Sequence, residues 1–156
     1  GRSQRVLVRH NVDGSDYELR LSEESAGTQK LMGLATFLLA ALERGGTVVV
    51  DELDAKLHPK LLRYVILLFK DPEINKNGAQ LIFSSQDVST MRNDVFRRDE
   101  IWFAARGEGE ASQLWSLADI HEANGNLVSK NAAFDKQYLS GRYGADPYLT
   151  RIEEWD

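Results

Sequence analysis

The chain has 156 residues, no cysteine and a formal net charge of −5. The lack of cysteine excludes disulfides, thiolate metal sites and thiol nucleophiles, and it fits a reducing compartment. The acidic balance gives no general support for nucleic-acid binding, and no apolar run is long enough to span a bilayer. The chain opens without an apolar signal segment, so we expect a cytoplasmic protein with no membrane partner. The length and the 42% hydrophobic content predict one domain over residues 1–156, with its core over about 1–120 and an irregular tail over 121–156.

A β-hairpin is predicted at the start of the chain. The β-like stretches Arg5–Val8 and Tyr17–Leu21 flank the polar pair Asp13-Gly14, which is typical of a tight turn. His10 has no clustered partner in the sequence, and we expect it on the surface.

A parallel crossover unit is predicted in the middle of the chain. The segment Thr28–Leu42 predicts a largely buried helix, because its apolar residues fall on nearly all faces, and Gly45 ends it as a left-handed cap. The β-branched run Thr47–Val50 is typical of a central strand covered on both faces. A helix over Leu57–Phe69 and a second apolar strand over Gln80–Ser84 complete a right-handed parallel unit.

A second hairpin is predicted by the strand-like segments Ile101–Ala105 and Gln113–Leu117 on either side of Gly107-Glu108-Gly109. We expect three aromatic residues to fill its core edge: Trp102, Phe103 and Trp115.

Two acidic residues, Asp51 and Glu52, follow the strand Thr47–Val50 directly. Ligands of open parallel sheets lie beyond the carboxyl ends of the strands, so these carboxylates are candidates for a site. Nucleotide hydrolysis needs one carboxylate near Mg²⁺ and another that positions the attacking water. Asp51 suits the first role and Glu52 the second. The alternative is that an acid pair after a strand only caps the next turn.

Small and polar residues open the first predicted helix, at Ser25–Gln29. Helix N-termini present free N–H groups and the positive end of the helix dipole, so they favour anions. Small residues let a phosphate approach the backbone, and Ser25 can add a hydroxyl donor. The alternative is an ordinary helix start in which Ser25 or Thr28 is the N-cap.

The polar segment Ser84–Asp87 ends the second apolar strand. If the two apolar strands are neighbours, a side chain here can contact a terminal phosphate or the attacking water. The alternative is an ordinary transition from strand to loop. The phosphate-cradling loop G-x-x-x-x-G-K-[ST], which is expected ahead of these segments, occurs nowhere in the 156 residues.

Together, the order of these segments resembles the ATP-binding-cassette class of ATPases, which includes the chromosome-maintenance and RecF-like heads. More narrowly, the chain is similar to the bacterial AAA-type ATPases of the abortive-infection and overcoming-lysogenisation group. The narrower resemblance covers nearly the whole chain and rests on the following segments: Glu24–Gln29, Asp51–Asp54, Leu57–Pro59, Gln80–Phe83, Arg97–Phe103 and Tyr138–Pro147.

The resemblance implies an α/β fold: a partial P-loop NTPase lobe with parallel strands, crossover helices and a terminal β-hairpin, but without the phosphate-binding loop. It implies ATP and Mg²⁺ as the cofactors. Ser25, Gly27 and Thr28 match the signature loop that touches the γ-phosphate of ATP held by a partner subunit. Asp51 matches the Walker B aspartate, which serves the metal, and Glu52 matches the catalytic glutamate.

Two positions depart from the pattern of the cassette ATPases. His58 falls where cassette ATPases carry the D-loop aspartate, and in the narrower group it is expected to be a structural or interface residue rather than a metal ligand. Gln86 falls where the switch histidine normally lies. Glutamine can donate a hydrogen bond to phosphate but cannot carry a proton at neutral pH, so we expect slow turnover.

The resemblance implies an ATPase head in which two copies sandwich two nucleotides, set in phage defence with a nuclease or toxin effector. A missing N-terminal lobe would supply the phosphate loop, so we expect this chain alone to be inactive. Two alternatives stay open. One is a non-catalytic lobe that serves as a protein-interaction module. The other is a DNA-repair ATPase head, which would need long coiled-coil heptads that are not visible in this sequence. Nucleic acid is a possible partner that the charge does not support.

Overall fold

The computed structural model describes residues 6–106 and 111–144. The chain divides into two compact units, Gly1–Gln86 and Asp87–Asp156. The described residues form a mixed α/β structure with one parallel and two antiparallel pairs of strands. The prediction of one domain with a core over 1–120 stays a prediction. The helices and strands are β1 (Leu7–Val12), β2 (Ser15–Arg20), α1 (Ala26–Arg44), β3 (Thr47–Val50), α2 (Pro59–Lys70), β4 (Gln80–Phe83), β5 (Trp102–Arg106), β6 (Ser112–Ser116) and α3 (Phe134–Leu139).

The predicted first hairpin is confirmed. β1 and β2 pair antiparallel, and the turn residues Asp13 and Gly14 both have positive φ, which is typical of a tight two-residue turn. Arg5, where we expected the first strand to begin, lies outside the described residues. His10, which was expected on the surface, has a side chain that is 41% exposed, and its ring nitrogen Nε2 pairs with the Glu24 carboxylate. The two residues are 14 positions apart and meet only because the hairpin folds back.

Helix α1 begins with Ser25 as its N-cap and ends at Gly45, whose φ of 73° is the predicted left-handed cap. The expected burial on nearly all faces is wrong. In the described part of the chain only Leu38, Ala41 and Leu42 of this helix are buried, whereas Phe37 is 64% exposed. The physical reason is that the helix packs with one face only, in a cluster with Ala79, Val48, Leu68 and Phe69.

The parallel pairing of β3 and β4 is confirmed, with Val49 opposite Ile82 in the register. Full cover of β3 on both faces was predicted and is wrong. Val50 is buried, but its neighbour Val49 is 74% exposed and Ile82 is 56% exposed. A continuous apolar run is typical of a strand buried on both sides. Within the described residues, nothing covers the face that carries Val49 and Ile82.

Helix α2 starts as the sequence predicts, with Pro59 in its first turn. His58 is the N-cap: its ring nitrogen Nδ1 accepts a hydrogen bond from the Lys60 backbone at 3.1 Å. Leu62 and Val65 of this helix are buried, as is Leu53 in the loop that precedes it. Fully buried Leu53 therefore anchors the loop that follows β3.

In the second unit, β5 and β6 form the predicted antiparallel hairpin, while the Gly107-Glu108-Gly109 turn lies outside the described residues. Phe103 is buried and stacks on Tyr138 with ring centroids 5.7 Å apart, and Trp115 packs against the same cluster. The prediction for Trp102 is wrong, because it lies on the opposite side of the strand and is 57% exposed. The buried cluster comprises Ile101, Phe103, Leu117, Val128, Phe134 and Tyr143.

Candidate functional site

The carboxyl ends of β3 and β4 are joined beyond the last strand residues. The Ser84 amide donates to the Val50 carbonyl at 3.1 Å, and the Leu53 amide donates to the Ser84 carbonyl at 3.0 Å. The segment Asp51–Glu52 is therefore looped out between two backbone hydrogen bonds. This arrangement places the acid pair at the open edge of the sheet, where both residues are exposed.

The Ser84 hydroxyl organises the acid pair. It donates to Asp51 Oδ1 and accepts from the Glu52 backbone amide at 2.8 Å. A single side chain from β4 thus orients one carboxylate and fixes the backbone of the next residue. The sequence places a serine at this strand end but carries no pattern that predicts the double contact.

Glu52 has a backbone φ of 47°, in the left-handed region. This conformation is uncommon for a residue other than glycine, and it persists where the surroundings hold it. Both backbone polar groups of Glu52 are engaged. Its amide meets Ser84, and its carbonyl accepts from Lys30 Nζ at 2.5 Å and from the Ala55 amide at 3.1 Å.

Gln86 lies beside the acid pair. Its side-chain amide Nε2 donates to Glu52 Oε1 at 3.4 Å, and its backbone amide donates to Asp54 Oδ2 at 3.3 Å. The structure therefore brings together Asp51, Glu52 and Gln86, which are up to 35 positions apart in the sequence. All three are exposed, so this edge of the sheet is open to a ligand.

Ser25 precedes the first turn of α1, and Gly27 and Thr28 lie within that turn. Ser25 Oγ accepts from the Thr28 amide at 3.1 Å and lies 2.9 Å from the Thr28 hydroxyl. Ser25 is thus the N-cap, as one of the two predicted alternatives has it, and it stays exposed at the helix start. Capping the helix and presenting a hydroxyl to a phosphate are compatible, since a hydroxyl oxygen both accepts and donates.

Gly27 marks a close approach between α1 and the loop after β3. A Cβ atom at this position would lie 2.7 Å from the Lys56 carbonyl oxygen. Lys30 reaches the same loop from the next turn of the helix. Sequence reasoning missed Lys30, because a single lysine in the first turns of a helix carries no pattern that predicts a contact with a distant loop.

The comparison with protein families identifies the first part of the chain. Residues 1–92 match the family described as "AAA domain, putative AbiEii toxin, Type IV TA system". The matched segment is more than half of the 156 residues. The chain belongs to this AAA domain family. All candidate site residues of the AAA domain, from Ser25 to Gln86, lie inside the matched segment. No curated protein matches the chain.

The residues present in this AAA domain fit a magnesium–nucleotide complex. In residues 6–106 and 111–144, no group of three or more His, Cys, Asp or Glu residues could hold a metal ion. Mg²⁺ in nucleotide sites needs only one or two carboxylates, because phosphates and water fill the other positions. Exposed Asp51, oriented by the Ser84 hydroxyl, meets that need. His58 is engaged as the N-cap of α2.

No helix in the described residues, 6–106 and 111–144, combines the length and the apolar character that are needed to cross a bilayer.

Proposed function

We propose that this chain is the lobe of an ABC-type ATPase head that supplies the signature loop, the Walker B acids and the switch residue. The observation that carries the proposal is the convergence of Asp51, Glu52 and Gln86 at the carboxyl ends of two neighbouring parallel strands. In open α/β sheets that edge is where ligands bind. Membership of the AAA domain family gives the same expectation of nucleotide binding.

In this proposal each side chain has a defined task. Glu52 orients the attacking water and accepts its proton, and Asp51 is the residue that would hold the metal. Mg²⁺, when bound, would offset the negative charge that develops on the phosphate. Gln86 donates from its amide toward the water or the terminal phosphate. Gln86 cannot take up a proton at neutral pH, so it cannot share the proton transfer with Glu52. We therefore expect slow turnover.

The triphosphate is bound by the phosphate loop, and we propose that an N-terminal lobe carries this loop. The bare face of β3 and β4 supports this, since Val49 and Ile82 form an exposed apolar pair on the sheet that carries the acids. Exposed apolar surface of this kind marks a contact site. An added strand or helix over that pair would give β3 the two-sided cover its sequence predicts.

A second copy of the head completes the site. Exposed Ser25 at the start of α1 contacts the γ-phosphate of ATP bound to the partner copy, and Thr28 and Gly27 shape that first turn. ATP then joins the two copies, and hydrolysis separates them. The family description supports a toxin or abortive-infection setting, in which the head controls a nuclease or toxin effector.

The test uses the complete head, in which this chain is joined to the polypeptide that carries the phosphate loop. Glu52→Gln is compared with Glu43→Gln, which makes the same chemical change at an exposed position near the end of α1. With Mg-ATP, Glu52→Gln should lose phosphate release and accumulate as ATP-held dimers in size-exclusion chromatography. Glu43→Gln should behave like the unaltered head.

A second candidate function is a non-catalytic interaction module. The exposed Val49–Ile82 pair favours it, because a sheet face of this kind can serve a protein partner without any nucleotide. If Glu52→Gln changes neither phosphate release nor size, while Val49→Lys abolishes association with the partner lobe, the module is the better description.

A further inference from the structure

We propose that Lys30 is a positioning residue that holds Glu52 in its working conformation and ties it to the signature end of α1. This inference rests on the proposed function for the role of Glu52, but the contact itself is independent of it. Lys30 Nζ donates to the Glu52 carbonyl at 2.5 Å and to the Ala55 carbonyl at 3.0 Å. The two carbonyls belong to the loop between β3 and α2.

The contact acts at a strained position. Glu52 has a φ of 47°, which the chain adopts only where neighbouring groups enforce it. Ser84 holds the amide side of Glu52 from β4, and Lys30 holds its carbonyl side from α1. Hydrogen bonds from an ammonium group are stronger than those between neutral groups. Without Lys30, the Glu52 carbonyl loses its charged donor and keeps only the Ala55 amide, so the left-handed backbone and the place of the carboxylate beside Gln86 are held less firmly.

The packing of α1 makes this reach possible. Gly27 lets the helix start against the Lys56 carbonyl, at a distance that a Cβ atom would not permit. Lys30 lies three residues further along the same helix, and its side chain is half-buried. The helix that presents Ser25 is therefore attached to the loop that presents Glu52.

Lys30 is a positioning residue rather than a phosphate ligand. Two of its three ammonium protons are directed at backbone carbonyls. In the proposed dimer, Ser25 and Glu52 of one copy serve different ATP molecules. A rigid link between them would let occupancy at one nucleotide influence the geometry of Glu52 at the other.

The contact is tested by NMR on the full 156-residue chain. A residue with positive φ gives a strong nuclear Overhauser effect between its own amide and α protons. Lys30→Met and Lys30→Gln should weaken this effect at Glu52, whereas Lys30→Arg, which can reach both carbonyls, should keep it. Lys60→Met, an exposed change on α2, is the matched control. An unchanged Glu52 signal in both Lys30→Met and Lys30→Gln, with α1 intact, would overturn the proposal.

The functional arm uses the complete head. Lys30→Met should lower kcat by about 10²-fold, the usual effect of a displacement near 1 Å, and leave the KM for ATP unchanged. Lys30→Arg should restore most of the lost rate. A raised KM with unchanged kcat would show a phosphate ligand and overturn the positioning role. If Glu52→Gln itself leaves turnover intact, the proposed function fails, and the NMR result still decides the contact.

Discussion

Replacement of Gly27 by alanine tests the close packing on which the site depends. The added Cβ atom would lie 2.7 Å from the Lys56 carbonyl oxygen, which is inside the distance that carbon and oxygen tolerate. The neighbour is backbone and cannot rotate away like a side chain, so the helix or the loop must shift. Gly33 is the matched control, because it lies on the same helix and a Cβ atom there meets nothing within 4 Å.

The two substitutions are expected to change the free energy of unfolding in opposite directions. Gly33→Ala should raise the free energy of unfolding by about 0.5–1 kcal/mol, because alanine loses less conformational freedom in a helix. Gly27→Ala gains part of the same stabilisation, but overpacking lowers the free energy of unfolding by about 1–3 kcal/mol. We therefore expect a net loss of stability.

The assay is urea unfolding followed by far-ultraviolet circular dichroism, since α1 and α2 contribute 19 and 12 residues of helix. If Gly27→Ala is as stable as Gly33→Ala, the close contact with Lys56 does not exist.

Three further predictions concern the cap, one tyrosine and the nucleotide. Ser25→Ala should lower the free energy of unfolding by about 1 kcal/mol, whereas Ser25→Asp keeps a capping oxygen and should not; equal losses in urea unfolding would contradict the cap. Burial raises the pKa of Tyr143 to about 12, with a further contribution from Glu122. The neutral phenol is thus favoured in the folded state, and its stabilisation is present below pH 10 and lost as the pH rises toward 12. Tyrosinate absorbance should show a late transition that Tyr143→Phe removes, and an unchanged titration would count against this burial. Calorimetry of this chain alone with Mg-ATP should show weak or no binding, because the glycine-rich loop and its lysine are absent from the sequence; micromolar affinity would mean that the site is assigned wrongly.

The local elements could be predicted from the sequence because their causes are local. The Asp13-Gly14 turn, the Gly45 cap and the first turn of α2 all depend on neighbouring residues, and the structure has each of them. The parallel strands followed from two apolar runs separated by a helix. These features need no knowledge of distant contacts.

Burial could not be predicted in the same way, because it depends on what lies against each face. The pattern of Thr47–Val50 indicates cover on two sides, and the described residues cover only one. Phe37 lies in a helix that was predicted to be largely buried, and it is exposed as well. Both errors have one physical explanation under the proposed function: the sequence pattern suits a sheet completed by other polypeptide.

The geometry of the candidate site could likewise be predicted only in part. The convergence of Asp51, Glu52 and Gln86 could be predicted, since carboxyl ends of neighbouring parallel strands share one edge. The contacts of Lys30 and the left-handed backbone of Glu52 could not, because they arise from the meeting of α1 with a loop more than 20 residues away in sequence. The chemical roles of these residues stay predictions.

The central claim is that one chain gives Ser25 to one nucleotide and Glu52 to another, and a mixing experiment on the complete head tests it most directly. Ser25→Asp keeps the helix cap but sets a negative charge against the γ-phosphate, and Glu52→Gln removes the base, so each variant alone should be inactive. A mixed dimer contains one site with neither change. Equal mixing should therefore restore about a quarter of the unaltered phosphate release, since half of the dimers are mixed and each has one intact site. A mixture no more active than its parents would contradict the claim.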